Sequence, residues 1–287
     1  MAVYRETDGE IVREYPLEVQ PLFRKETDHA LIEIVPTKQF GRTLFINGEL
    51  QFTEKDEYIY HEALVHPCLA TISPRSRICI LGGGDGCAAR EVLRWGSDIE
   101  SIDIIDWDQD ITNSFKDTYC DLNEESLSHP KVTIENEDIR SYLDDDRSYN
   151  TIIIDLLDPN PYEDGQMDLW YDTLFLAKHW VVNGGSIVIN AGGIDPWNTE
   201  ILNWLIDLVQ KKIKWPLFVY KVFVPSFGRE WCFLLLCQTE TLCLEYLPDD
   251  LRFFDKRAWK QMYSGWTRDY LRSLDLNIEH QLELEDE

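Results

Sequence analysis

The sequence has no apolar run that approaches the ~18 residues of a membrane-spanning helix. Its longest apolar runs, at residues 151–154 and 232–237, have the length of strands. Residues 1–16 are charged and contain no apolar run, which argues against a secretory signal peptide. We therefore expect a soluble, cytoplasmic protein without a membrane partner.

Basic residues are scarce. The chain has 27 Lys and Arg against 53 Asp and Glu, which gives a formal net charge of −26. Nucleic-acid binding requires clustered basic residues, so the composition argues against a nucleic-acid partner. An acidic surface concentrates cations near a cleft, which is compatible with a cationic ligand. Solubility or adaptation to salt would explain the same charge, so charge alone does not identify a ligand.

The seven cysteines include no CxxC pair. Metal cages and disulfide frameworks need closely spaced, paired cysteines, so we expect reduced thiols, no bound metal and no prosthetic group.

Apolar residues are plentiful: 44% of the 287 residues are hydrophobic, and they include 10 Trp, 13 Tyr and 12 Phe. This composition supports a large buried core and gives no indication of a long disordered region.

The first part of the chain has the pattern of an antiparallel sheet. Strands are predicted at residues 30–35, 43–46 and 50–53. Asn47 and Gly48 lie between two of them, and Asn-Gly between apolar runs is a strong hairpin signal. We therefore predict a small antiparallel β domain over residues 1–60, linked to the rest of the chain by a helix at residues 54–71.

After residue 75 the pattern alternates between strands and helices. Strands are predicted at residues 78–81, 101–105, 131–135, 150–159, 186–192, 218–224 and 231–238, and helices at residues 88–95, 109–120, 170–181 and 198–214. Such alternation indicates a doubly wound α/β sheet, here a second domain over residues 61–287. The last two strands are close enough in sequence to pair antiparallel.

Acidic residues follow the first three strands of this α/β region, at the sheet edge where ligands bind in such folds. The GGGDG run at residues 82–86 lets a ligand approach the backbone, and its Asp85 would repel a pyrophosphate but attract an ammonium or sulfonium. Asp106 suits a pair of ribose hydroxyls, and Asp138 could accept a hydrogen bond from an adenine amine. Together they predict a site for S-adenosylmethionine or a relative. Each acid taken alone could instead be a helix N-cap.

Asp155 and Asp158 lie at the end of the fourth predicted strand and could face one ligand. Alkyl transfer from a sulfonium to an amine requires a neutral nitrogen, and deprotonating an amine of pKa near 10.4 at pH 7 costs about 4–5 kcal/mol. A carboxylate that accepts the proton lowers this cost, and a second can hold a distal ammonium. We assign Asp155 as the base and Asp158 as the anchor. A simple turn at Asp158-Pro159 is the alternative.

Aromatic rings also suit a flexible cationic chain, because methylene groups pack on the rings and ammonium groups sit over their faces. Tyr60, Phe227 and Trp231 are candidates for this role. Ordinary core packing is the alternative for each of them.

Four ordered motifs resemble those of spermidine synthases and related aminopropyltransferases. They are GELQFTEKDEYIYHE (48–62), GGGDG (82–86), DLLDP (155–159) and PSFGREW (225–231). The resemblance extends from about residue 20 to residue 275 and implies a small β domain on a methyltransferase-like Rossmann domain. It also implies a homodimer or homotetramer, decarboxylated S-adenosylmethionine as the co-substrate, a polyamine as the acceptor and methylthioadenosine as the product.

The resemblance further implies individual roles. Asp155 corresponds to the family's proton acceptor. We assign to donor binding Gln51, His61, Gly82, Asp85, Asp106, Asp138 and Ile139, and to acceptor binding Tyr60, Asp155, Asp158, Phe227 and Trp231.

The chain also departs from the pattern of spermidine synthases. Asp106 replaces a more usual Glu, Trp107 a smaller residue, Asn190 a Gln, and His29-Ala30 an aromatic-Gln pair. The motif at 225–231 is more similar to the thermospermine synthase branch than to the usual Tyr-Pro-Ser-Gly.

We expect aminopropyl transfer to putrescine, giving spermidine, with transfer to spermidine, giving thermospermine, as the alternative. An S-adenosylmethionine-dependent methyltransferase is disfavoured, because Asp85 would repel the carboxylate of the intact cofactor. A polyamine sensor without catalysis is disfavoured, because the proposed acids are all present.

Overall fold

The computed structural model describes residues 2–8, 11–27, 29–238 and 246–266. Six cysteines in these ranges are free thiols. Cys243 and the acidic segment at 282–287 lie outside the described residues. None of the helices described is both long and apolar enough to cross a membrane. The cellular location stays a prediction.

The N-terminal part consists of two small antiparallel sheets. A hairpin is formed by β1 (Val3–Asp8) and β2 (Ile11–Pro16), and a four-stranded meander by β3 (Phe23–Glu26), β4 (Leu31–Thr37), β5 (Gly41–Ile46) and β6 (Glu49–Thr53). The predicted hairpin lies between β5 and β6, where Asn47 and Gly48 both have positive φ, 53° and 85°. Positive φ at both positions is what a tight hairpin turn requires.

The helix α1 (Glu57–Ala70) links the two parts of the chain, close to its predicted position. It begins after Asp56, whose carboxylate accepts hydrogen bonds from Thr53 Oγ1 at 2.5 Å and from the Ser226 backbone N–H at 2.7 Å. Most of its residues are buried, because it packs on α2 and against the large sheet. The helix therefore carries Tyr60 and His61 into the interior of the molecule.

The large sheet has seven strands, β7 (Arg77–Gly82), β8 (Ser101–Ile105), β9 (Val132–Glu135), β10 (Tyr149–Asp155), β11 (Val181–Ile194), β12 (Leu217–Val224) and β13 (Arg229–Cys237). Their order is β12-β13-β11-β10-β7-β8-β9. The five strands from β11 to β9 are parallel, and β13 pairs antiparallel with both β11 and β12. This is a Rossmann-like, methyltransferase-type order, as the resemblance implied.

The remaining helices are α2 (Cys87–Leu93), α3 (Gln109–Asp117), α4 (Gln166–Trp180), α5 (Glu200–Lys212) and α6 (Lys256–Ser264). Side chains alternate between the two faces of each strand, so Ile78 and Ile80 join a core cluster with α1 and α2. Cys79 and Leu81 join the opposite cluster with α4 and α5. Helices thus cover both faces of the sheet.

The carboxyl ends of β7 and β10 meet at the point where the strand order reverses. Asp155, the last residue of β10, pairs directly with Gly82, the last residue of β7. Ligands of doubly wound sheets bind in the crevice at such a point. The fold therefore places Gly82, predicted on the donor side, next to Asp155, predicted on the acceptor side, at this crevice.

Candidate active site

The glycine run lets β7, β8 and β10 approach one another. Gly82 has φ +86°, and a Cβ at this position would lie 2.1 Å from the backbone oxygen of Asp155. A Cβ at Gly84 would lie 2.6 Å from Oδ2 of Asp106, which instead accepts a hydrogen bond from the Gly84 N–H at 2.9 Å. Only glycine allows these close approaches, so the run brings Asp106 and Asp155 to the same crevice.

Asp85 projects from this run beside α1. Its Oδ1 accepts a hydrogen bond from the Cys87 backbone N–H at 2.7 Å and lies 4.0 Å from Nε2 of His61. The side chain of Asn123 donates to the backbone oxygen of Asp85 at 2.8 Å and fixes the loop. Asp85 thus hydrogen-bonds the start of α2, as an N-cap would. Its carboxylate also lies next to His61 at the crevice.

Asp106 and Asp138 have different environments. Both oxygens of Asp106 accept backbone hydrogen bonds, from Gly84 and Asp108 at 2.9 Å each, yet burial raises the pKa of Asp106 to about 6. Asp138 caps the short helical turn that contains Ile139, as the N-cap alternative anticipated, and a hydrogen bond from Arg140 lowers its pKa. The donor roles of Asp138 and the buried Ile139 stay predictions.

Tyr60 and Asp155 form the central contact of the crevice. The phenol of Tyr60 donates a 2.6 Å hydrogen bond to Oδ1 of Asp155. Burial raises the pKa of Asp155 to about 6; nearby His61 opposes this rise and Asp85 adds to it. A carboxylate with a pKa near neutrality is better matched to proton transfer from an amine than an ordinary Asp.

Asp158 lies at the mouth of the crevice, where Asn190 holds it. The Asn190 side-chain amide donates to Asp158 Oδ1 at 3.3 Å, and its Oδ1 accepts from Trp231 Nε1 at 2.8 Å. Part of the Asp158 side chain meets solvent, but the surrounding protein atoms raise the pKa of Asp158 to about 7. Because water stabilises an exposed carboxylate, burial affects the pKa of the less exposed Asp155 more strongly than that of Asp158.

Aromatic side chains form one wall of the crevice. The ring of Tyr60 lies 6.3 Å from Phe227, 6.2 Å from Trp231 and 5.3 Å from Phe233, and Phe227 lies 4.3 Å from Trp231. The Asp56–Ser226 hydrogen bond ties the loop that carries Phe227 to the start of α1. The structure thus groups the three aromatic candidates, with Phe233 as a fourth member.

A buried ion-pair network behind the crevice was not predicted from the sequence. Both oxygens of Glu57 accept hydrogen bonds from Arg90, each at 2.9 Å, and Oε2 also lies 2.8 Å from Nδ1 of His61. Ligand atoms of Glu57, His61 and Cys87 all lie within 4.8 Å of one another, a spacing that could hold a metal. Since Arg90 engages both Glu57 oxygens, we assign Glu57 and His61 to ion pairing. The cationic Arg90 would also repel a metal ion.

Sequence reasoning also missed Asn190 as a site residue, although it was noted as a departure. The available signal was a polar residue near the end of the apolar run at 186–192, where a buried amide needs partners.

Gln51 lies on β6 and donates to the backbone oxygen of Glu49 at 3.3 Å. Its donor role stays a prediction. His29 and Trp107 stack at 4.7 Å beside Asp106.

Two family models match most of the chain. Residues 57–246 match the family model of the spermine/spermidine synthase domain, and residues 17–54 match that of the spermidine synthase tetramerisation domain. A polyamine aminopropyltransferase of Leptospira interrogans is 34% identical over 237 residues, which are 82% of this chain and 46% of that protein. One of Korarchaeum cryptofilum is 30% identical over 246 residues, 84% of this chain and 72% of that protein.

The chain spans about half the length of the first curated relatives that it matches. Among solved structures, a spermidine synthase in complex with the transition-state analogue AdoDATO superposes with a TM-score of 0.81. The alignment covers 99% of this chain and 96% of that one at 18% identity, which supports the fold alone. With the family model covering most of its length, this chain belongs to the spermine/spermidine synthase family.

Proposed function

We propose that the protein transfers the aminopropyl group of decarboxylated S-adenosylmethionine to putrescine, giving spermidine and methylthioadenosine. The observation that carries this proposal is the meeting of Asp85, Asp155 and Tyr60 at one crevice. Two carboxylates there favour two cationic ligands, and the raised pKa of Asp155 suits a base. Curated relatives named polyamine aminopropyltransferase support the same activity.

The donor would occupy the side of the crevice formed by β7, β8 and β9. Asp106 would bind the ribose hydroxyls, and Asp138 with Ile139 the adenine. Asp85 would face the sulfonium and aminopropyl arm, since its charge attracts cations. Gln51, His61 and the Gly82 backbone would complete the donor side, and the AdoDATO complex of a structural neighbour is consistent with an adenosyl ligand in this fold.

The acceptor would lie along Tyr60, Phe227 and Trp231. Its reacting ammonium gives one proton to Asp155, and the neutral nitrogen attacks the methylene carbon bonded to the donor sulfur. The C–N bond forms as the C–S bond breaks, and the electron pair stays on sulfur, which leaves as the neutral thioether. The product nitrogen remains a secondary ammonium. Asp158 would bind the distal ammonium and so select the nitrogen that reacts.

Spermidine is a second candidate acceptor, with thermospermine as the product. The observation that favours it is the contact of Phe227 with Trp231 at 4.3 Å, which gives the acceptor wall a ring without a hydroxyl at this position. Phe227 has no hydroxyl to bind the far end of the acceptor. This lack matters less for a longer amine, because a longer amine has another charged nitrogen that can be bound elsewhere.

We also propose that residues 1–60 form a separate domain that mediates assembly into a homodimer or homotetramer. The match of residues 17–54 to a tetramerisation domain supports an oligomer. Light scattering coupled to size-exclusion chromatography would measure its size.

An acceptor panel tests the proposed activity. Putrescine, cadaverine, agmatine and spermidine would each be incubated with the decarboxylated donor, and products identified by mass and chromatography, because thermospermine and spermine share a mass. Spermidine and methylthioadenosine in equal amounts from putrescine would support the first proposal, and thermospermine from spermidine the second. Methylated products from intact S-adenosylmethionine, with no methylthioadenosine from the decarboxylated donor, would contradict both.

A further inference from the structure

The orientation of the buried His61 ring is fixed by its neighbours. Nδ1 lies 2.9 Å from the backbone oxygen of Glu57 and 2.8 Å from its Oε2. Both of these atoms accept hydrogen bonds, so Nδ1 carries a proton. The ring is therefore neutral or cationic according to whether Nε2 is also protonated, and Nε2 is the nitrogen that faces Asp85.

Groups on four elements face this ring. They are Glu57 and Tyr60 on α1, Cys87 and Arg90 on α2, Asp85 on the loop after β7, and Asp155 on β10. Arg90 offsets the charge of Glu57 through two hydrogen bonds. Within the part of the chain that the structure describes, no Lys or Arg makes a comparable contact with Asp85 or Asp155. Burial disfavours the imidazolium, but Glu57, Asp85 and Asp155 raise the pKa of His61 to about 9.

We infer that His61 holds a proton on Nε2 beside Asp85 in the free enzyme and releases it when the cationic donor binds. This inference rests on the proposed function, in which the sulfonium and the aminopropyl ammonium lie next to Asp85. Two new positive charges near Asp85 take over the attraction that keeps the imidazolium charged. The deprotonated Nε2 then has a lone pair that accepts a hydrogen bond from the donor ammonium.

Glu57 and Arg90 act as positioning residues in this scheme. The contact of Glu57 with Nδ1 prevents the ring from rotating, so the nitrogen that changes its protonation state always faces the crevice. The two hydrogen bonds of Arg90 hold Glu57 in turn. In this way the enzyme exchanges a proton for a cationic substrate without leaving a buried carboxylate uncompensated.

Proton release should distinguish the decarboxylated donor from related ligands. Methylthioadenosine has no positive charge, so its binding leaves the His61 proton in place. Intact S-adenosylmethionine carries a carboxylate, which would favour the protonated ring. Proton release on binding of the decarboxylated donor, but not of the other two ligands, would therefore identify the titration of His61. A purely structural role of His61 would not produce this difference.

Linkage gives the expected pH dependence. A proton released on binding makes binding tighter as the pH rises, by up to about tenfold per pH unit below the pKa of the free group. The affinity for the decarboxylated donor should therefore increase from pH 7 toward pH 9. Asp106, Asp155 and Asp158 have pKa values of about 6, 6 and 7 and are largely ionised at pH 8, so they contribute little there.

Isothermal titration at pH 8 in phosphate and in Tris, buffers of low and high ionisation enthalpy, tests the inference. The difference in heat should correspond to about one proton released per donor bound, and to much less for methylthioadenosine. His61→Gln should bind methylthioadenosine, which shows that it folds, but release no proton with the donor. His179→Gln, at an exposed histidine on α4, should behave as the wild type.

Donor heats that do not depend on the buffer, or His61→Gln releasing as many protons as the wild type, would overturn this inference alone. Absence of binding for both the decarboxylated donor and methylthioadenosine would overturn the proposed function together with it.

Discussion

The phenol of Tyr60 hydrogen-bonds Oδ1 of Asp155 at 2.6 Å, although the two residues are 95 positions apart in the chain. In the proposed mechanism, Oδ2 of Asp155 would then be the oxygen that accepts the substrate proton. The hydrogen bond also stabilises the charged carboxylate, opposing the burial that raises the pKa of Asp155. If Asp155 is the base, as proposed, the Tyr60 contact would determine both the oxygen that receives the proton and the pH at which the carboxylate is ionised.

Replacing Asp155 by Asn should abolish most turnover, because the amide cannot accept the proton. We expect a loss in kcat on the order of 10²–10⁴, with methylthioadenosine binding within a few-fold of the wild type. Single-turnover assays with mass detection would measure it. Asp103→Asn is a matched control, since Asp103 also accepts a hydrogen bond from a tyrosine, Tyr149, at 2.8 Å. Near-normal rates for Asp155→Asn would remove Asp155 as the base.

The pH profile should report the same carboxylate. A base must be ionised to act. At saturating donor, kcat/KM for the acceptor should therefore reach its plateau above the pKa of Asp155, about 6, and fall as the pH drops through it. Tyr60→Phe removes the hydrogen bond that lowers this pKa. The acid limb should then move to higher pH, by up to about one unit.

Tyr4→Phe is the control for this shift, because it removes another tyrosine–carboxylate hydrogen bond, to Glu33 at 2.7 Å, in the N-terminal sheets. Its profile should coincide with that of the wild type. An unchanged limb in Tyr60→Phe would show that Asp155 does not govern the acid side of the profile.

The sequence predicted the elements whose signals are local. The apolar strands β7 to β11 follow from runs of residues such as 78–81, and the hairpin between β5 and β6 from Asn47-Gly48. The strands β1 and β2 were not predicted individually, because they alternate charged and apolar residues of which several, such as Val3 and Val12, are exposed. The helix α6 was missed although Trp259, Met262 and Tyr263 have helical spacing.

The acidic residues of the site could be placed because each follows a strand, and parallel strands end at a common edge. Their partners could not be predicted in this way. The contacts of Tyr60 with Asp155, Asn190 with Asp158 and Glu57 with Arg90 join different elements, and no local pattern specifies which side chains will meet across a folded core. The pKa shifts depend on the same long-range contacts, so they could not be predicted from the sequence either.

Asp85→Asn should weaken binding of the decarboxylated donor more than binding of intact S-adenosylmethionine. The two ligands share the sulfonium, but only the intact form carries a carboxylate, which Asp85 repels. We expect about a tenfold difference between the two losses, equivalent to about 1.4 kcal/mol. Titration calorimetry of both ligands would measure it.

Asp146→Asn provides the control for Asp85→Asn, since it removes the same charge at an almost fully exposed position before the amino end of β10, at the opposite edge of the sheet. It should leave both affinities unchanged. Equal losses for the two ligands in Asp85→Asn would contradict selection by charge.

Asn190→Ala should act on the acceptor and spare the donor. The change removes the hydrogen bond to Asp158 and leaves Trp231 Nε1 without its partner, so the anchor for the distal ammonium becomes mobile. We expect the KM for the acceptor to rise about tenfold, from a lost hydrogen bond to a charged group, with methylthioadenosine affinity unchanged. Steady-state kinetics and calorimetry would separate the two effects, and the exposed Asn113→Ala is the control. Equal weakening of both ligands would indicate a general disturbance of the crevice.

Glu62→Gln should destabilise the fold through the segment before α6. The buried carboxylate of Glu62 accepts three backbone hydrogen bonds, from Arg252 and Phe253 at 2.8 Å and from Phe254 at 2.7 Å. An amide presents N–H groups to some of these donors and loses the charge that strengthens the bonds. We expect the free energy of unfolding to fall by about 2–4 kcal/mol, measured by urea denaturation. In the control Glu100→Gln, at an exposed position, the free energy of unfolding should fall by less than about 0.5 kcal/mol. Equal stabilities of the two variants would show that the three bonds do not hold the segment.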